Sequence, residues 1–133
     1  MIYHGIDMVE IARLRRAVER WGDRFLQRVF TPSELKDCGV TDGLPRFESL
    51  AARWAAKEAT AKALSLGLSG LAAGTGIRLG WHEIEVVRGA EGQPLLRLHG
   101  AAAHALGRGA LALSLSHTNE HAIASVIGHA SDG

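Results

Sequence analysis

Two groups of residues in this 133-residue chain have the types and spacing to do chemistry. The first is Asp7, in Gly5-Ile6-Asp7, where a short strand gives way to a helix. A carboxylate there can hold a metal ion, or can simply complement the positive end of the helix that follows. The second is Glu58 with Lys62, in Trp54-Ala55-Ala56-Lys57-Glu58-Ala59-Thr60-Ala61-Lys62-Ala63. Four residues apart, they share one helix face and make an ordinary ion pair contributing roughly 0.3 kcal/mol. The setting supports a second reading. The neighbours are mostly alanine, so the charged heads project from a slim helix that other elements can approach closely. A carboxylate beside an ammonium then suits a metal and a phosphate held together, with the acid on Mg²⁺ and the lysine on a phosphate oxygen.

The elements around these residues must position them. Ile2 to Val9 reads as a strand. Ile11, Leu14, Val18, Trp21 and Phe25 recur at helical spacing, which predicts one helix over Glu10 to Arg28, bent near Gly22. Phe30-Thr31-Pro32-Ser33-Glu34 is a helix start, with Thr31 as cap, Pro32 in the first turn and Glu34 three residues on. Gly39 to Pro45 reads as a loop. Arg46 to Leu66, alanine-rich and free of internal Gly and Pro, is the longest helix. Gly67 to Gly80 carries glycines at 67, 70, 74, 76 and 80 and reads as a flexible loop. Trp81 to Arg88 and Pro94 to Leu98 form a hairpin across the turn Gly89 to Gln93. Ala101 to Leu106 is a short helix. Leu111 to Ser116 and Ala122 to Ile127 are strands joined at His117-Thr118-Asn119-Glu120, and the tail from Gly128 to Gly133 is frayed. The expected fold class is α+β, a mostly antiparallel sheet with one long helix packed on it, in a single domain over residues 1–133.

The pairing of Gly5-Ile6-Asp7 with Trp54-x-x-Lys57-Glu58-Ala59-x-x-Lys62-Ala63 resembles the signature of the 4′-phosphopantetheinyl transferase superfamily. The chain length, the opening Ile6-Asp7-Met8-Val9-Glu10-Ile11, Phe30-Thr31-x-x-Glu34 and Ser114-Leu115-Ser116-His117-Thr118 resemble its small single-domain branch, the holo-acyl-carrier-protein synthases. The resemblance spans nearly the whole chain and implies a concrete chemistry. Asp7 and Glu58 would be the protein ligands of Mg²⁺, and Lys62 would neutralise charge on the phosphates of coenzyme A. A serine of an acyl carrier protein would attack the β-phosphate and release 3′,5′-ADP, with position and charge doing most of the catalysis. Glu58 or a metal-bound water would take the serine proton. Arg53 and Arg46 match positions used for coenzyme A phosphates, and His117 and Thr118 match a pair near the nucleotide. Apart from the motif, His117 reads first as a solvated turn histidine. The loop from Gly67 to Gly80 is longer and richer in glycine than this branch implies, so no position in it is carried over.

Arg13, Arg16, Arg20 and Arg24 fall within one arc of the first helix, apart from Leu14, Val18, Trp21 and Phe25. By pattern alone they form either a solvated basic face or a docking surface. Carrier proteins of this family are acidic, and the resemblance puts docking on this helix, where arginine reads carboxylates well. It also implies a homotrimer, with Asp7 and Glu58 from one subunit and a neighbour closing the coenzyme site.

Composition narrows the alternatives. Hydrophobic residues make up 47%, enough for a core, and the formal net charge is +1. Six arginines against two acids between Ile11 and Arg28 concentrate positive charge locally. With 5% aromatics and no global basic field, nucleic-acid binding is not expected. No apolar stretch is long enough for a membrane span, and the N-terminus has no signal-peptide pattern. Cys38 is the only cysteine, which suits a reducing, cytoplasmic setting. Two rivals stay open: the same transfer onto carrier domains of a polyketide or peptide synthase, and a non-enzymatic adaptor for an acidic protein. The adaptor leaves Asp7, Glu58 and Lys62 without a purpose.

Overall fold

A computed structural model describes residues 1–65, 67–68 and 78–131. Strand β1, Ile2–Glu10, leads into helix α1, Ile11–Trp21, then α2, Asp23–Val29, and α3, Pro32–Asp37. Helix α4, Phe47–Ala63, is the longest described helix. Short strands β2, Gly67–Leu68, and β3, Arg78–Leu79, pair in parallel. A 3-10 turn at Trp81–Glu83 precedes the hairpin of β4, Ile84–Arg88, and β5, Pro94–Leu98. Helix α5, Gly100–Leu106, and strands β6, Ala110–His117, and β7, His121–His129, complete the chain. The main sheet is antiparallel with order β1-β7-β6. This is the expected α+β arrangement, with α4 laid across the sheet.

Small residues make that packing close. A Cβ on Gly5 would collide with the Ala59 carbonyl oxygen and stand 2.8 Å from the Ala63 nitrogen. Gly5 therefore lets α4 rest backbone against backbone on β1. Ala122 and Ala124 on β7 and Ala55, Ala56 and Ala59 on α4 are fully buried in the same layer. Glycine and alanine at this crossing bring residues on β1 within side-chain reach of α4, which is what an active site built from both requires.

Alternation sets the rest of the sheet. Gly5 and Val9 are buried toward α4, while Ile2, Ile6 and Met8 are exposed on the opposite face. Ile127 on β7 joins them there.

Several expectations need correction. The single helix over Glu10 to Arg28 is two helices, because Gly22 adopts φ +56° and ψ −137°, a conformation glycine takes without strain. Helix α1 ends at Trp21, so that side chain leaves the core stripe and is 52% exposed, with Arg20 over its ring. The long helix begins at Phe47 with Arg46 as its flanking residue, and ends at Ala63; Leu66 lies outside the described residues. The expected strand from Trp81 starts only at Ile84. Glu83 interrupts it by accepting hydrogen bonds from the Gly80 and Ala101 amides, each at 2.6 Å. Strand β7 continues through Gly128 and His129, which pair with Tyr3 and Ile2, so fraying does not begin at 128. The loop expected over Gly67 to Gly80 holds the two short strands at its ends, and residues 69–77 lie outside the described residues.

Candidate active site

Strand β1 delivers Asp7 to the α4 side of the sheet, two residues beyond the Gly5 contact. There the Lys62 ammonium stands 2.8 Å from Asp7 Oδ1 and also donates to the Ile6 carbonyl at 3.1 Å. Lys62 remains largely open to solvent while Asp7 is mostly covered. Asp7 Oδ2 is buried and has no hydrogen-bond partner. Glu58 sits one turn before Lys62 on the same face of α4. Burial pushes its carboxyl up to about 7, with the adjacent Asp7 carboxylate adding to the rise and Arg13 and Lys62 pulling the other way.

An orphaned buried carboxylate oxygen beside a second carboxyl that resists ionisation is the arrangement a divalent cation relieves. Among the described residues no cluster of three or more His, Cys, Asp and Glu side chains forms a metal cage. Two carboxylates with an open side fit Mg²⁺, which keeps waters and takes phosphate oxygens rather than a full protein shell. Asp7 and Glu58 would hold it.

The remaining candidates lie on several elements of the fold. Arg13 lies with its guanidinium 5.1 Å from the centroid of the Trp54 ring. Arg53 is on a different face of α4, buried near Cys38 and Lys57, and its Nε has no partner. Burial raises the Cys38 thiol to about 11 against the pull of Arg53. Arg46 flanks the start of α4 and donates to the Asp37 carbonyl, which also accepts from Arg88 at 2.9 Å. His117 and Thr118 are at the β6–β7 turn. His117 pairs with Ala122, which pairs in turn with Val9, so His117 is two strand spacings, about 10 Å, from the end of β1. The Thr118 hydroxyl accepts the amides of Glu120 and His121 at 3.2 and 3.1 Å and shapes that turn. Arg16 is exposed on α1; Arg20 covers Trp21; Arg24 lines an open cleft of about 340 Å³ on α2 with Trp21, Phe25 and Arg28.

Sequence reasoning missed the support beneath Glu58. Lys57, fully buried, meets Glu34 Oε1 at 2.8 Å and the carbonyls of Trp81 and Ile84 at 3.1 and 2.5 Å, which uses all three ammonium donors. Burial alone would pull Lys57 well below its usual range; Glu34 opposes this. Glu34 also accepts the Thr31 amide at 2.9 Å, closing the capping box read from sequence, and the Val86 amide at 2.9 Å. The Thr31 hydroxyl continues the network by donating to Glu85 at 2.6 Å. The signal available was a lysine in an alanine-rich helix, next to Glu58 but off the face that Glu58 shares with Lys62.

The model of the 4′-phosphopantetheinyl transferase superfamily matches residues 4–126. The chain is 59% identical over 133 residues to a holo-acyl-carrier-protein synthase of Chloroflexus aurantiacus, covering 96% of this chain and 97% of that protein. It is 48% identical to the synthase of Herpetosiphon aurantiacus, covering 96% and 98%. Among solved structures, it resembles the Helicobacter pylori synthase in complex with coenzyme A, with a TM-score of 0.77, 32% identity and coverage of 97% and 100%. A Chronobacterium ammoniagenes synthase–coenzyme A complex matches with a TM-score of 0.77, 32% identity and coverage of 98% of each chain. A β1 carboxylate meeting a carboxylate and a lysine of α4, on this fold and with these relatives, establishes that the chain belongs to the 4′-phosphopantetheinyl transferase superfamily, in its holo-acyl-carrier-protein synthase branch.

Proposed function

We propose that the chain transfers the 4′-phosphopantetheine group of coenzyme A to a serine of an apo-acyl carrier protein, releasing 3′,5′-ADP, as a step of fatty acid biosynthesis. The observation that carries this reading is the meeting of Asp7, Glu58 and Lys62 at the β1–α4 crossing. The reaction needs a nucleophilic oxygen and a diphosphate held in line, with the developing charge neutralised.

Asp7 and Glu58 are the carboxylates for Mg²⁺, a reading supported by the unpartnered Asp7 Oδ2. When bound, the ion supplies positive charge to the diphosphate. Lys62, whose ammonium is largely exposed, is available to a phosphate oxygen. Glu58, or a water held by the ion, would accept the serine proton. Arg46, Arg53, His117 and Thr118 are assigned to coenzyme A. Arg13, Arg16, Arg20 and Arg24 are assigned to the acidic carrier.

A homotrimer is part of the same reading. It is supported by the exposed Ile2, Ile6, Met8 and Ile127 on the sheet face away from α4, an apolar surface that association would cover. No helix among the described residues is long and apolar enough to cross a membrane. A cytoplasmic location fits a lone thiol that needs no oxidising compartment.

The deciding experiment incubates the protein with apo-carrier, coenzyme A and Mg²⁺ and weighs the carrier by mass spectrometry. Gain of one phosphopantetheine is expected. An unchanged carrier mass, with fatty acid synthase and polyketide or peptide synthase carriers all tried, overturns the assignment.

A further inference from the structure

We infer that Arg88, on β4, is a further binding residue for coenzyme A, forming with Arg46 a two-guanidinium seat for the terminal 3′-phosphate. The inference rests on the functional reading above, which assigns Arg46 to the coenzyme.

The end of α3 draws two arginines to one atom. Arg46, at the start of α4, and Arg88, at the end of β4, both donate to the Asp37 carbonyl, Arg88 at 2.9 Å. Two donors on one oxygen stand within about 6 Å of each other. Both residues are exposed, and among the described residues neither forms an ion pair. A carbonyl oxygen accepts two hydrogen bonds but carries no net charge to offset two cations. Behind them Arg53 is 7% exposed with an unpartnered Nε, and it and Arg46 both act on the Cys38 thiol against its burial. Three guanidiniums therefore gather at the α3–α4 corner. Arg46 and Arg88 also hang from fixed backbone. The Arg46 amide donates to the Cys38 carbonyl at 2.8 Å. Strand β4 is tied to α3 by the Val86 amide on Glu34 at 2.9 Å, and Gly89, next to Arg88, closes the hairpin turn on Gln93 at 2.7 Å. Coenzyme A carries a diphosphate and one phosphate monoester. In the reading above the diphosphate belongs to Lys62 and the Mg²⁺ carboxylates, which leaves the monoester without a seat of matching charge. It is mostly dianionic at neutral pH and presents three oxygens, which paired guanidinium forks match in geometry and charge.

Steady-state kinetics at saturating apo-carrier and Mg²⁺ test this, with coenzyme A or 3′-dephospho-coenzyme A as the varied donor. Arg88→Ala is expected to raise the KM for coenzyme A about tenfold while changing kcat less than about twofold. The same variant is expected to leave the KM for the dephospho donor within about twofold of the parent, so the preference for coenzyme A shrinks. Arg88→Lys keeps the charge but not the fork, so it recovers only part of the loss. The product 3′,5′-ADP retains the monoester, and its inhibition constant is expected to rise about tenfold in Arg88→Ala. If both arginines only cap the last carbonyls of α3, Arg88→Ala lowers the melting temperature and affects both donors equally. That result, or an unchanged KM for coenzyme A, or an unchanged inhibition constant for 3′,5′-ADP, overturns the inference. A parent chain that neither binds coenzyme A nor transfers from it overturns the functional reading itself; a failure confined to Arg88→Ala leaves that reading standing.

Discussion

Lys62 on α4 pairs with Asp7 on β1 at 2.8 Å, 55 residues away in sequence, although Glu58 stands one turn before it on its own helix. The ion pair is a tertiary contact made possible by the close approach at Gly5. It leaves Glu58 with Asp7 as a neighbouring carboxyl.

Asp7→Asn and Glu58→Gln are each expected to reduce transfer about a hundredfold or more, roughly 2.7 kcal/mol of transition-state stabilisation, while the fold survives. Carrier mass spectrometry and a Mg²⁺ titration check this. Near-parental turnover of either variant at low Mg²⁺ removes that residue from the metal site.

The raised Glu58 carboxyl, buried beside Asp7, predicts a pH dependence of stability without metal. The folded protein holds the Glu58 proton up to about pH 7, above the ordinary value of 4.5, so the folded state binds more protons than the unfolded state between these limits. The resulting stability is full below about pH 4.5 and is lost as pH rises through about 7. Thermal melts in chelator should show the parent losing stability relative to Glu58→Gln across that window, and Mg²⁺ should restore it on the alkaline side. Parallel curves for the two proteins would exclude the raised carboxyl.

Lys57→Met should cost about 3–5 kcal/mol, because it strands Glu34 in the core. Pairing it with Glu34→Leu should recover part of that loss, since the orphaned charge is then gone. Urea unfolding measures both. A loss under about 1 kcal/mol for Lys57→Met alone would mean that the network relaxes or admits water.

Gly5→Ala tests the crossing itself. Its methyl group meets the Ala59 carbonyl oxygen, backbone against backbone, so α4 must move away from β1. A destabilisation of about 1–3 kcal/mol is expected, together with a loss of transfer larger than that destabilisation explains. Retained activity at full stability would show that the crossing distance is not what aligns Asp7 with Glu58.

Charge reversal of Arg16, Arg20 or Arg24 to Glu is expected to lower kcat/KM for an acidic carrier while changing kcat less, since interface charges act on association. Added salt should shrink the parent's advantage, because exposed charges are screened over about 10 Å at 0.1 M. An unchanged KM in all three, with no salt dependence, would leave these arginines as solvated surface.

The sequence by itself determined most of the elements and marked the residues proposed for the chemistry. Alternation in Ile2–Glu10, the Thr31-Pro32-Glu34 start and the Gly-Gln turn before Pro94 are local signals, and local backbone energetics govern them. Asp7, Glu58 and Lys62 were legible as a recurrent motif. Their partners were not, because a lysine four residues after a glutamate looks the same whether it pairs along its helix or across to a strand. Gly22 was visible as a bend but not as a full break, since glycine permits either. The buried Lys57–Glu34 pair and the seat of Arg13 on Trp54 join residues 23 and 41 positions apart. Contacts of that kind depend on how closely α4 approaches α1 and α3, and so they belong to the tertiary structure alone.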